Sequence, residues 1–251
     1  MSSGPLLKKR PKSRLYPRKP NLQRRTPKYG EMWVWISFAP EYRLTLGSLV
    51  GGHNLATARK IIHQTRVKLD GNIPLFTTDQ LPHYEGVLLE TYHTWKQYPP
   101  TGKRGRPKKP RMIPHPELKY AQVIKEREKG RVVEVKRTIV FGREEQVLAA
   151  CSLNGEEGRI NTSYVERNNL TIRHHNRRLA RKTLCFSKSR SELQNQMDFW
   201  SAYANFVRPH EALKIRIKNR WFKRTPAMMA EIADHIWSLR ELLTYRPGRG
   251  P

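Results

Sequence analysis

Long apolar runs are missing from this chain of 251 residues. No stretch approaches the roughly 20 residues needed to cross a bilayer, and the N-terminus lacks the apolar stretch of a signal peptide, so neither spanning nor secretion is expected. Cysteine is scarce as well: Cys151 and Cys185 are the two present. Neither sits in a CxxC pair, which argues against a disulfide scaffold and a Cys-based zinc site and suits a reducing cytosol. His174 and His175 are adjacent, so a helix points them apart and no i, i+4 zinc pair forms. No GxxxxGK[ST] phosphate loop, Ser-His-Asp set or Cys-His set is legible. Acid is the scarcest feature: 21 Asp and Glu stand against 49 Lys and Arg, for a net charge of +28. Such a surplus stores self-repulsion that a polyanion relieves through counterion release, which makes nucleic acid the leading partner class. An anionic membrane surface is the runner-up, but no sustained basic amphipathic helix with an aromatic face supports it.

What is present is a modest core with basic extensions, since 37% of the residues are hydrophobic and 28% charged. Residues 1–30 hold ten Lys or Arg and no acid. They read as a disordered basic arm, either solvated or loosely binding phosphate. A domain over 31–245 follows, with a short tail at 246–251. Trp33 to Phe38 is aromatic and β-branched, hence a strand, and Arg43 to Val50 is its return partner. Asn54 is placed to cap a helix over Leu55 to Lys68, with Leu55, Ala58, Ile61 and Ile62 on one face. A short strand, Ile73 to Thr77, leads into a second helix over about Leu81 to Thr94. Residues 96–117 are rich in proline and lysine and read as an irregular insertion. Tyr120 to Lys125 and Arg131 to Phe141 are strands, and Asn154 to Gly158 is a polar loop. From Thr162 to about Leu243 the pattern is mostly helical. The order predicts a mixed α/β fold, compatible with a ribonuclease-H-like sheet and with other folds that begin the same way.

Two acids stand where chemistry is commonly found. Asp79 follows a strand, at the end where open α/β sheets place reactive groups; it is equally suited to cap the helix from Leu81. Glu166 opens the long helix, where Ser163-x-x-Glu166 also spells a capping box. Arg167, Arg173, Arg177, Arg178, Arg181 and Lys182 crowd the same helix, as a solvated face or as a nucleic-acid face. Arg104-Gly105-Arg106-Pro107 resembles an AT-hook, in which both guanidinium groups reach into a narrow minor groove; a plain basic linker has the same composition. His210, in Arg208-Pro209-His210, reads as structural.

Asn161-Thr162-Ser163-Tyr164-Val165-Glu166-Arg167-Asn168-Asn169-Leu170-Thr171-Ile172-Arg173 resembles the glutamate-bearing helix of bacterial insertion-sequence transposases, in the family named for insertion sequence one. The resemblance continues through Arg178 to Lys188 and resumes at Asn205 to His210, Arg224 to Ala227 and Asp234 to Leu239. Upstream, Pro74 to Asp79 with Tyr84 resembles that family's second-aspartate strand, so the likeness covers about 32–245. It implies a ribonuclease-H-like fold with an Asp-Asp-Glu triad, in which Asp79 and Glu166 are the second and third carboxylates and the ligands of Mg²⁺ or Mn²⁺. Carboxylate-held metal ions would serve DNA strand cleavage and transfer at mobile-element ends. The implied partner is double-stranded DNA, bound by a homo-oligomer in the cytoplasm at the nucleoid. The first aspartate has no match. The position after Trp33 to Phe38 holds Ala39, and the nearest acids are Glu31 and Glu41. The zinc-binding and helix-turn-helix segments usual in such transposases are not legible either, which predicts a chain lacking its front end or a degenerate, DNA-binding copy acting as competitor or repressor.

Overall fold

The computed structural model describes residues 32–99, 108–153 and 159–246. The basic arm, with Glu31, and the AT-hook-like Arg104 and Arg106 lie outside these residues.

Strands β1 (Trp33–Ala39) and β2 (Leu44–Gly51) form an antiparallel hairpin, with a register shift at Ser37/Phe38. Alternation along β1 gives its two faces different partners. Trp35 faces α1 (Leu55–Val67) and α2 (His83–Thr91), packing with Ile61, Ile62 and Leu88. Val34 and Ile36 turn the other way and pack beside Val50, Ile172, Leu193 and Met197, which brings in α4 (Ser163–His175) and α5 (Arg190–Ala202). Asn54 caps α1 as its sequence predicts, its side-chain oxygen accepting from Thr57 N at 3.0 Å.

Strand β3 (Leu75–Thr78) pairs in parallel with β6 (Lys119–Glu128), and β6 pairs antiparallel with β7 (Arg131–Phe141). Tyr120 belongs to the α1/α2 side, whereas Ala121 and Val123 pack on the opposite face with Val147 and Cys151 of α3 (Glu144–Leu153). Helices thus cover both faces of the strands, a mixed α/β arrangement. Among the described residues the hairpin and the β3-β6-β7 sheet are separate, with no ladder between β1 and β3.

Several sequence expectations are corrected. The second helix is shorter than Leu81 to Thr94: Pro82 precedes its first turn, and Tyr92 leaves it at φ −126°. Chain beyond it forms β4 (His93–Lys96), paired with β5 (Arg111–Pro114), so Lys96 and Arg111–Pro114 of the supposedly irregular insertion are strand. Helix α3 falls in a stretch to which no element was assigned. Downstream of Thr162 the chain is less helical than its pattern suggests. A π-helical turn, Tyr203–Val207, extends α5, and β8 (Ile215–Ile217) pairs with β9 (Arg220–Phe222). Lys218 and Asn219 both have positive φ, 43° and 69°, the geometry of a tight two-residue hairpin turn. Two short helices complete the described chain, α6 (Pro226–Met229) and α7 (Leu239–Thr244).

Candidate functional site

Three element ends converge on a cavity of about 180 Å³. The end of β1 contributes Ala39 and Glu41, β3 contributes Thr77 and Thr78, and the start of α4 contributes Thr162 and Val165. The cavity lies where β1 and β3 run unpaired. The two predicted acids, Asp79 and Glu166, each adjoin a residue of its wall.

Asp79 is exposed just past β3. It does not cap α2, whose first turn follows Pro82 and has no side-chain cap. Its surroundings are phenolic. Thr78 Oγ1 lies 2.9 Å from the Tyr120 hydroxyl, which also accepts from Gln122 Nε2 at 2.9 Å. Burial, and after it the negative Asp79 and the neighbouring Tyr120, push the Tyr84 hydroxyl far above its ordinary pKa. Burial likewise raises Tyr120, against the hydrogen bonds from Thr78 and Gln122, with Asp79 and Glu85 adding to the rise. Both phenols therefore stay protonated beside the Asp79 carboxylate.

Glu166 sits one turn into α4. The expected capping box is not formed, because Asn161 Oδ1 accepts both Ser163 N at 3.0 Å and Ser163 Oγ at 2.7 Å. Ser163 becomes the first helical residue, and Thr162 holds the cap position without a side-chain cap bond. The Thr162 hydroxyl instead donates to Glu166 Oε1 at 2.6 Å. Lys125 of β6 forms an ion pair with the same oxygen. Sequence reasoning missed Lys125, which lies 41 positions away and carries no local signal.

Ala39, one of the two places expected for the first carboxylate beside a segment upstream, ends β1, and Glu41 in the following turn is the acid that lines the cavity. Glu41 is exposed as a residue, yet its carboxyl is partly withdrawn from water, which raises its pKa above the ordinary glutamate value. Among the described residues no three His, Cys, Asp or Glu come together in a group able to hold a metal ion.

The basic residues divide into two groups. Helix α4 ends at His175, where Asn176 turns extended and accepts from Arg178 N at 3.0 Å. Arg167 and Arg173 are therefore on the helix, while Arg177, Arg178, Arg181 and Lys182 follow it in a short 3-10 turn and irregular chain. All six are exposed. The expected single helical face is replaced by a helix end and a solvated segment beyond it.

The exposed cations thus follow Glu166 along α4 and into the segment beyond its C-terminal end. Residues 151–205 match the model of the family described as IS1 transposase. The matched stretch contains all of α4, Glu166, the six cations and α5, and is consistent with an IS1-family transposase. It does not extend to Asp79, Ala39 or the segments after Asn205. No curated protein and no solved structure matches the chain. Among the described residues no helix is long and apolar enough to cross a membrane.

Proposed function

We propose that this chain is a transposase-type protein that acts on double-stranded DNA, gripping backbone phosphates with Arg167, Arg173, Arg177, Arg178, Arg181 and Lys182. The observation that carries the reading is the coincidence of the IS1 transposase match with the exposed cations around α4. A net charge of +28 supports it, because each phosphate contact releases condensed counterions. A protein of this kind works on DNA in the cytoplasm, at the nucleoid, and pairing two element ends calls for at least a dimer.

The reaction implied by the family is strand cleavage and transfer with a divalent metal ion, and the ribonuclease-H-like fold belongs to the same reading. Asp79 and Glu166 supply hard oxygen donors of the type Mg²⁺ takes. As arranged, the donor set does not fit such an ion. Neither belongs to a group of three His, Cys, Asp or Glu among the described residues, and the Glu166 Oε1 atom is already engaged by Lys125 and Thr162. Ala39 at the end of β1 favours a second reading, a transposase-derived DNA binder acting as competitor or repressor.

One experiment separates the two. Purified chain is titrated with duplex DNA at several salt concentrations and assayed for nicking of supercoiled plasmid in Mg²⁺ and Mn²⁺, beside Asp79→Ala and Glu166→Ala. The logarithm of the affinity is expected to fall linearly with log salt in all three proteins. Nicking that disappears in both variants would establish a working carboxylate site, with Glu41 and Glu31 next to test. Binding without nicking would support the binder. Salt-independent or absent binding would overturn the DNA reading altogether.

A further inference from the structure

Helix α4 presents a second face, away from Glu166. Tyr164, Arg167, Asn168 and Thr171 follow i, i+3, i+4, i+7 spacing and line one wall of a separate cavity of about 420 Å³. That volume is within the range of small-ligand pockets, roughly 300–1,000 Å³. The opposite walls are Arg43 at the start of the β2 side and Arg208, Pro209 and His210 after the π-helical turn. Three arginines and a histidine thus line one cavity, with Arg43 brought in from a distant part of the chain.

Two donors in this cavity are unsatisfied. Arg43 Nη1 and Asn168 Nδ2 are buried and have no hydrogen-bond partner. A buried donor left unpaired has lost its water without gaining a partner, most expensively when it is charged, so the site is poised for an acceptor. Arg43 is further constrained by φ of 55° and by stacking, its Cζ lying 3.8 Å from the Tyr164 ring centroid. Arg208 lies over Trp200 at 5.9 Å. His210 is pushed below the ordinary histidine pKa by burial and then by the positive Arg43 and Arg208, with Glu211 opposing, so the imidazole adds a neutral hydrogen-bonding group at neutral pH. Glu211, the one acid of the lining, is paired with Lys214 at 3.1 Å and points its charge at that partner.

We infer that this cavity is a phosphate subsite that takes one backbone phosphodiester of a DNA strand, held by Arg43, Arg208 and Asn168. The aromatic faces of Tyr164 and Trp200 are already covered by guanidinium groups, which leaves charge rather than base stacking as the means of recognition. The assignment rests on the DNA reading above and deepens it, by naming a contact outside the exposed cations of α4 and the segment after it.

The test is fluorescence anisotropy on a duplex of arbitrary sequence across a salt series, for the wild type, Arg208→Gln, Asn168→Asp and Arg59→Gln. Arg59 sits on α1, on the other side of the hairpin, and serves as the comparison. Arg208→Gln is expected to flatten the slope of log K against log salt by roughly 0.9, the loss of one phosphate contact. Asn168→Asp, which adds repulsion without removing a stacking group, should weaken binding by about tenfold, a typical charge-assisted contact. Arg59→Gln should leave both quantities unchanged. Thermal unfolding of each variant confirms that it is folded. Wild-type slope and affinity in folded Arg208→Gln and Asn168→Asp would overturn the subsite while leaving DNA binding intact. Equal losses in Arg59→Gln would overturn it too, since the pocket would then be no different from any surface arginine. Inorganic phosphate at matched ionic strength separates the sources. Stabilisation of the wild type but not Arg208→Gln, with unaltered DNA binding in that variant, would mark a free-anion site and overturn the DNA assignment. A wild type without salt-dependent DNA binding would remove both readings at once.

Discussion

The β1–β2 hairpin and the β6–β7 ribbon are both antiparallel pairs interrupted by register shifts, but their free surfaces are treated differently. The outer edge of β2 is covered by side chains from 190–205. Asn205 accepts from Thr45 N at 3.0 Å and donates to Thr45 O at 2.9 Å, copying the pair of bonds a neighbouring strand would make. Gln194 does the same further along, accepting from Val50 N at 2.7 Å and donating to Ser48 O at 3.0 Å, and Arg190 Nε reaches Val50 O at 2.8 Å. An edge that would otherwise invite another chain is closed. The ribbon's far end has no such cover. Arg131 to Glu134 are exposed, and Lys136 pairs there with Glu126 at 2.7 Å and Glu134 at 3.4 Å, all in solvent. The hairpin is thus fixed by bonds that span the chain, and the ribbon's tip by bonds within itself. The hairpin and α4 also share a wall between the two cavities, since Phe38 and Tyr164 line both.

The sharpest way to break the comparison is Asn205→Ala. It strips Thr45 of both partners in a buried position, and at 1–3 kcal/mol per unpaired group the loss should be about 3 kcal/mol. Urea unfolding followed by tryptophan fluorescence would read it, and a loss near zero would mean that the hairpin edge is not held this way. Gly51→Ala probes the hairpin's other end. A Cβ there would meet Thr57 Cγ2 at 2.6 Å and Oγ1 at 2.7 Å, and Thr57 is buried and capped against Asn54. Overpacking of this kind costs about 1–3 kcal/mol, so a midpoint lowered less than by Asn205→Ala is expected in the same assay.

Why some of this was legible in the sequence, and some not, follows from the range of the interactions. Strands β1 and β2, helix α1 and its Asn54 cap depend on neighbours a few positions away, and they appear where the pattern puts them. The Ser-x-x-Glu pattern shows the limit of local rules. At Ser238 to Glu241 it forms a full capping box, and the backbone and side chain of Ser238, then His235, hold the Glu241 carboxyl down to about 2. At Ser163 to Glu166 the same spelling forms none, because Asn161 takes the serine's donors first. Asp79 and Glu166 were named from motif and order, but the partners that define their surroundings were not. Lys125 comes from a strand 41 positions before Glu166, and Arg43 meets Arg208 only once the hairpin and the π-helical turn have packed. The β8–β9 hairpin was lost to an assumption of continuing helix, although Ile215 and Ile217 alternate before Lys218-Asn219.

The smallest effect is expected at the ribbon tip, and its smallness is the point. Lys136→Ala should leave the urea midpoint at neutral pH unchanged, since an exposed ion pair trades solvation and side-chain entropy for little net gain. The pH response sharpens this. The hydrogen bond and charge of Lys136 hold the Glu126 carboxyl below the usual glutamate range, so its pairing is fully present above that range and is lost as pH falls through the lowered value. Protection factors of the amides near Glu126 and Lys136, taken relative to intrinsic exchange at each pH, should therefore fall slightly in acid while those of Tyr120 and Ala121, buried at the root of the same ribbon, stay unchanged. In Lys136→Ala the tip's protection should already be at this slightly lower level at neutral pH and respond no further to acid. If the root loosened together with the tip, the ribbon would be one cooperative unit with the core, and its contrast with the hairpin would disappear.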